Sequence, residues 1–169
     1  LSKTDEDKAF ISECQANANW LIKSLDQRAR TILKVSSEIV RQQDGFFVSG
    51  VRALRPLNLK TVADAVEMHE STVSRVTSNK YVSTPRGVFE LKYFFNSSIN
   101  TSRGENVASE SVKEKIRLIL AQEDPQKPYS DQELVELLKK QDILIARRTV
   151  TKYREMLGVL PSTQRKQII

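Results

Sequence analysis

The chain has one cysteine, Cys14, and one histidine, His69, in 169 residues. A single cysteine excludes an internal disulfide and fits a reducing cytoplasm, the expected location. One His and one Cys far apart in sequence make neither a metal cluster nor a nucleophile pair. His69-Glu70 lacks the second His of the zinc-protease motif, and there is no G-x-G-x-x-G, phosphate loop or C-x-x-C. No apolar run approaches the roughly 18 residues of a membrane span, and no signal peptide precedes the first polar stretch. Strand-like alternation of useful length and a fixed repeat are also missing. Together these absences point away from an enzyme, from any cofactor or metal, and from a membrane. A hydrophobic content of 39% suits small helical cores better than one large core. The chain opens on Leu1 rather than Met, so it reads as a piece of something longer.

What the chain does have is positive charge in one place. Its net charge is +6, and the stretch Ile143 to Ile169 holds six Lys/Arg against one acid, or +5 of that total. An acidic partner follows from such a concentration. Ala146 to Glu155 (ARRTVTKYRE) puts four cations on about three helical turns. At 100° per residue, Ala146, Val150, Tyr153 and Leu157 share one side, and Arg148, Thr151, Lys152 and Glu155 the other, with Arg147 flanking. A helix that packs on one face and carries long donors on the other can lie in a DNA major groove. There Arg and Lys reach G O6/N7, and a carboxylate accepts from C N4. A solvated amphipathic helix with a basic surface is the competing explanation, and periodicity alone favours it.

Thr4 to Asp44 reads as one long helix. Thr4 is an N-cap followed by three acids, Gly45 is a stop, and a seam runs Ile11, Cys14, Ala18, Leu21, Leu25, Ile32, Val35, Ile39. Such a helix, about 60 Å long, exceeds the width of a small domain, so part of it must pack on something else. Gly50 to Asn58 reads as a loop. Leu59 to Asn79 fits the helix-turn-helix pattern. Leu59, Val62, Val66, Met68, Val73 and Val76 stand at the buried positions and Ala63 at the helix crossing. One departure is Glu67, where a left-handed glycine is usual. Ser71 is the expected cap of the second helix, whose outward residues are Thr72, Ser74, Arg75 and Ser78. Two helices packed at a corner without DNA remain an alternative.

Thr84-Pro85 reads as N-cap and first position of a further helix bearing Val88, Phe89, Leu91, Phe94 and Phe95 as core. Asn96 to Asn106 is polar and is the linker candidate. Ser109 or Ser111 opens a helix ended by Pro125 and Pro128. Ser130-Asp131-Gln132-Glu133 is a capping box, and a turn from Asp142 to Ile145 precedes the basic helix. Leu160-Pro161 ends regular structure, leaving Arg165 and Lys166 in a flexible tail. The expected fold is all-α. A long N-terminal helix and a helix-turn-helix unit occupy residues 1–95, a linker 96–108, and a three-helix helix-turn-helix domain 109–169.

The string ARRTVTKYRE resembles the signature box of the sigma-54 family of bacterial sigma factors. The stretch Val66 to Asn79 (VEMHESTVSRVTSN), the segment Ser83 to Phe95 (STPRGVFELKYFF) and the tail Gln164 to Gln167 (QRKQ) resemble it too. The resemblance implies promoter recognition for activator-dependent transcription initiation. The box helix would read the −24, GG-containing element through Arg147, Arg148, Thr149, Lys152, Tyr153 and Arg154, with Thr151 on its outward face. The internal helix-turn-helix would approach the −12 element, with Arg75 the chosen contact beside Thr72 and Ser74. The tail cations Arg165 and Lys166 complete the DNA-binding set. Implied partners are double-stranded promoter DNA, core RNA polymerase and an activator ATPase, the last through parts absent from this chain.

Two rivals stand beside that reading. One is a two-motif repressor or transposase DNA-binding region, and the other is a helical protein-interaction module with no DNA contact. Salt-sensitive binding to DNA separates the module from the rest. Preference for a GG…GC pair one helical turn apart separates the sigma reading from a palindrome-binding repressor.

Overall fold

The computed structural model describes residues 4–101 and 106–167. Helix α1 (Asp5–Gln42) starts at a capping box, in which the Thr4 hydroxyl accepts from the Asp7 N–H and the Asp7 carboxylate accepts from the Thr4 N–H. Only Val35 and Ile39 of its apolar seam are buried. Phe10, Ile11, Leu21, Ile22 and Leu25 are exposed. The reason is placement: the helices Leu59–Val66 and Glu70–Thr77 pack on α1, and its N-terminal half stands clear of the described core.

The break falls at Gln43, two residues before the expected stop. Buried Gln43 donates to the carbonyls of Arg55 and Phe94 and accepts from the Arg55 N–H. Its side chain thus takes over backbone groups that a continuing helix would leave unpaired. The chain re-enters a helix, α2 (Asp44–Ser49), which stops at Gly50 with φ +81°. Gly45 is inside α2, where a Cβ would lie 3.1 Å from the Ala53 carbonyl oxygen, so its role is close approach. A 3-10 turn (Val51–Ala53) then leads to α3 (Leu59–Val66) and α4 (Glu70–Thr77).

These two helices form the expected helix-turn-helix. Val62, Ala63, Val66 and Val73 are buried in one core, and Leu59, Met68 and Val76 pack against it. Glu67 takes the left-handed conformation, φ 55° and ψ 48°. The cap of α4 is His69 rather than Ser71: its Nδ1 accepts from the Ser71 N–H at 3.2 Å. Lys34 of α1 donates to the Val66 carbonyl at 2.8 Å, a cation placed on the C-terminus of α3.

The chain is not all-α. Strands β1 (Tyr81–Thr84) and β2 (Gly87–Glu90) make an antiparallel hairpin, and β3 (Ser98–Asn100) and β4 (Asn106–Ala108) a second small sheet, so the fold is mixed α/β. Thr84-Pro85 therefore opens no helix. The Thr84 hydroxyl accepts from the Arg86 N–H and donates to the Gly87 carbonyl, closing a two-residue turn, and Gly87 has φ +120°. The Arg86 guanidinium reaches back to the carbonyls of Phe47 and Val48 at the end of α2 and latches the hairpin tip. Val82 and Phe89 face the core while Tyr81, Ser83 and Val88 face out. A 3-10 turn (Leu91–Phe94) buries Leu91 and Phe94. Phe46 sits at the centre of this core, with edge contacts to Phe89 at 5.1 Å and Phe94 at 5.2 Å between ring centroids. Complete burial of each such ring stabilises by about 1.5–3 kcal/mol.

The stretch read as linker, residues 96–108, carries β3 and β4, and its residues 102–105 lie outside the described ones. Helices α5 (Ser109–Ala121), α6 (Asp131–Lys139) and α7 (Arg147–Met156) enclose a second core of Val112, Ile116, Leu134, Leu138, Ile143, Val150 and Tyr153. The box Ser130/Glu133 caps α6 as its spacing predicts. A short α8 (Ser162–Arg165) follows Pro161, where the sequence suggested a flexible tail.

Candidate nucleic-acid interface

Helix α7 leaves a turn in which Asp142 has φ +63° and Ile143 is buried. Its inner face is set by Val150, fully buried, and Tyr153, whose ring carries the Lys113 ammonium of α5 at 5.4 Å. Arg147, Arg148, Lys152 and Glu155 are exposed on the remaining surface. Arg148 and Lys152 are four residues apart, so they share one face. Among the described residues no hydrogen bond or ion pair occupies either side chain. Thr149 is half-buried.

Four of the residues assigned to DNA from the sequence face elsewhere. Arg154 is buried at 2% exposure. It bonds the Asp131 carboxylate through Nε at 2.7 Å and Nη2 at 3.3 Å, and the Val159 carbonyl through Nη1 at 2.6 Å. Thr151 donates to the same carboxylate at 2.8 Å. Burial by itself pushes the Asp131 carboxyl up, but the hydrogen bonds from Arg154 and Thr151 and the Arg154 charge outweigh it and hold the group below the usual range. Tyr153 is core. Arg165 forks onto Glu123 at 2.7 and 2.8 Å and donates to the Tyr129 carbonyl, pinning α8 to the segment before α6. Lys166 remains exposed.

In the first unit, Arg75 is exposed on α4, with Thr72 and Ser74 half-buried beside it. Sequence reading missed the surface next to it. Trp20, Lys23 and Arg28 of α1 line a groove of about 550 Å³ together with Val76 of α4. It also missed the partners Asp131 and Glu123. For Asp131 a signal was there: Arg154 follows Val150 by four positions, so it lies on the packed face and needs an acid.

Residues 8–167 match the family profile described as "Sigma-54, DNA binding domain". This chain belongs to the sigma-54 family. The RNA polymerase sigma-54 factor of Caulobacter vibrioides is 58% identical over 170 residues, covering 99% of this chain and 34% of that protein. That of Sinorhizobium fredii is 59% identical over 166 residues, covering 98% and 32%. Among solved structures, the crystal structure of Aquifex aeolicus sigmaN bound to promoter DNA matches with a TM-score of 0.57 and 38% identity, over 96% of this chain and 49% of that one. The chain thus spans about a third of the length of the sigma-54 factors it matches. Within this sigma-54 chain the ten-residue box divides by direction: Arg148 and Lys152 point out, while Val150, Tyr153 and Arg154 point in.

Proposed function

We propose that this chain recognises promoter DNA as the DNA-reading part of a sigma-54 factor, with α7 in the major groove of the upstream element and α4 at the downstream element. The observation that carries this reading is α7 itself, which presents unengaged Arg148 and Lys152 opposite a packed face inside the family's signature box. Arg148 and Lys152 are the groove readers, Arg147 and Lys166 contact phosphate, and Arg75 serves the second element, with Lys23 and Arg28 extending its cationic surface. Arg154, Tyr153 and Arg165 leave the contact set, because their side chains are engaged within the protein. Thr151 leaves it for the same reason. The whole factor would bring core RNA polymerase to these promoters. Opening by an activator ATPase would act through segments outside this chain.

Binding to a promoter duplex and to a scrambled duplex, each over a range of salt, tests the reading. Affinity should fall with salt for both, and the promoter should stay preferred throughout. Equal affinity for the two duplexes contradicts sequence reading.

A further inference from the structure

We infer that Arg154 and Asp131 are positioning residues. Their buried ion pair, with Thr151 joined to it, sets the roll of α7 about its own axis and so decides which side chains meet the bases. This rests on the promoter-reading function proposed above.

The apolar contacts of α7 lie along one stripe of Val150, Tyr153 and Leu157. Apolar contact has no direction, so it leaves the helix some freedom to roll. The ion pair is directional. Arg154 grips both oxygens of Asp131, and Thr151, three positions earlier on the same edge, grips one of them again. Asp131 is itself fixed, as the first residue of α6 behind the Ser130/Glu133 capping box. The third Arg154 donor holds the Val159 carbonyl just past the end of α7. One guanidinium therefore ties the start of α6, the body of α7 and the segment after it.

Magnitude shows why this matters for reading rather than for mere attraction. On a helix about 12 Å across, a roll of about 20° moves a side-chain tip by about 2 Å. Base-edge hydrogen bonds tolerate only about 0.5 Å of misplacement. A long cation seeking a phosphate tolerates far more, because attraction to the backbone is not tied to one site. Loss of the ion pair should thus erode specificity while leaving nonspecific affinity in place.

The test compares the whole chain with Asp131→Asn, Arg154→Met and Thr151→Val. Affinity for the upstream-element duplex and for a scrambled duplex is measured over a salt range, with circular dichroism at the same temperature reporting the folded fraction. The ion-pair variants should lose about tenfold or more on the promoter duplex, change less than about twofold on the scrambled one, and keep the salt slope. Thr151→Val, which removes one hydrogen bond and keeps the shape, should fall between them and the wild type. A positioning role is overturned if both duplexes weaken together in step with the folded fraction. It is overturned equally if Arg154→Met lowers the salt slope by about one, the sign of a direct phosphate contact. A wild-type chain with no promoter preference sinks the promoter reading itself. A wild-type preference that all three variants keep sinks the positioning role alone.

Discussion

Glu67 adopts φ 55° at the turn between α3 and α4, a left-handed backbone in which its Cβ is crowded. That conformation costs a non-glycine residue about 1–2 kcal/mol, part of which glycine would give back as lost chain entropy. Glu67→Gly should therefore raise stability by about 0.5–1 kcal/mol, read as a higher midpoint in thermal unfolding. In α7, Arg148 and Arg154 are the same residue type in opposite surroundings, so their substitutions should separate. Arg148→Ala and Lys152→Ala should each cost about 1–3 kcal/mol of binding to the upstream element and little stability. Asp131→Ala leaves the Arg154 guanidinium buried without its acid and should cost about 3 kcal/mol of stability, the low end for a broken buried pair because Asp131 keeps some exposure. The pH dependence follows from the lowered Asp131 carboxyl. Its folded value lies below its unfolded value, near pH 4, so its stabilisation is full above that and fades as pH falls through the folded value. Asp131→Asn should be weaker at neutral pH and lose less on acidification, a contrast that urea unfolding at several pH values would read. At this scale the outward residues of the box were legible from 100° spacing alone. Arg154 entered the contact set through the family resemblance, whereas its spacing from Val150 already places it on the packed side, where its side chain is buried.

At the level of elements, helices with strong local signals were legible and short strands were not. Thr4 and Ser130 cap helices as their side chains and following residues predict. The hairpin β1–β2 escaped because Thr-Pro suits a helix start and a tight turn equally well, and the strands are only four residues long. Gly87 and the paired Val82 and Phe89 were the signals that favoured the turn. What secures the hairpin is non-local: the Arg86 guanidinium on the carbonyls that end α2, a contact no window of sequence contains. Arg86→Ala should cost about 1 kcal/mol and loosen the hairpin first, seen as faster amide exchange at Val82 and Phe89 with the α7 amides unchanged. The break in α1 has a similar origin. Gln43 stops that helix by bonding Arg55 and Phe94, the latter 51 residues further along the chain.

For the whole molecule, two cores hold two helix-turn-helix units, and the positive charge is concentrated in one stretch of the second, Ile143 to Ile169, which carries +5. That charge asymmetry and the signature box were readable at once, and in the proposed function they direct the molecule to DNA. The exposed apolar face of α1 was legible only as a length mismatch, a helix too long for its domain. Reading of two promoter elements by α7 and α4 is the central claim, and a hydroxyl-radical footprint of the chain on a duplex carrying both elements tests it most directly. The wild type should protect both elements. Arg148→Ala with Lys152→Ala should lose the upstream protection and keep the downstream one, and Arg75→Ala should do the reverse. Uniform, sequence-independent protection that none of these substitutions shifts would contradict it.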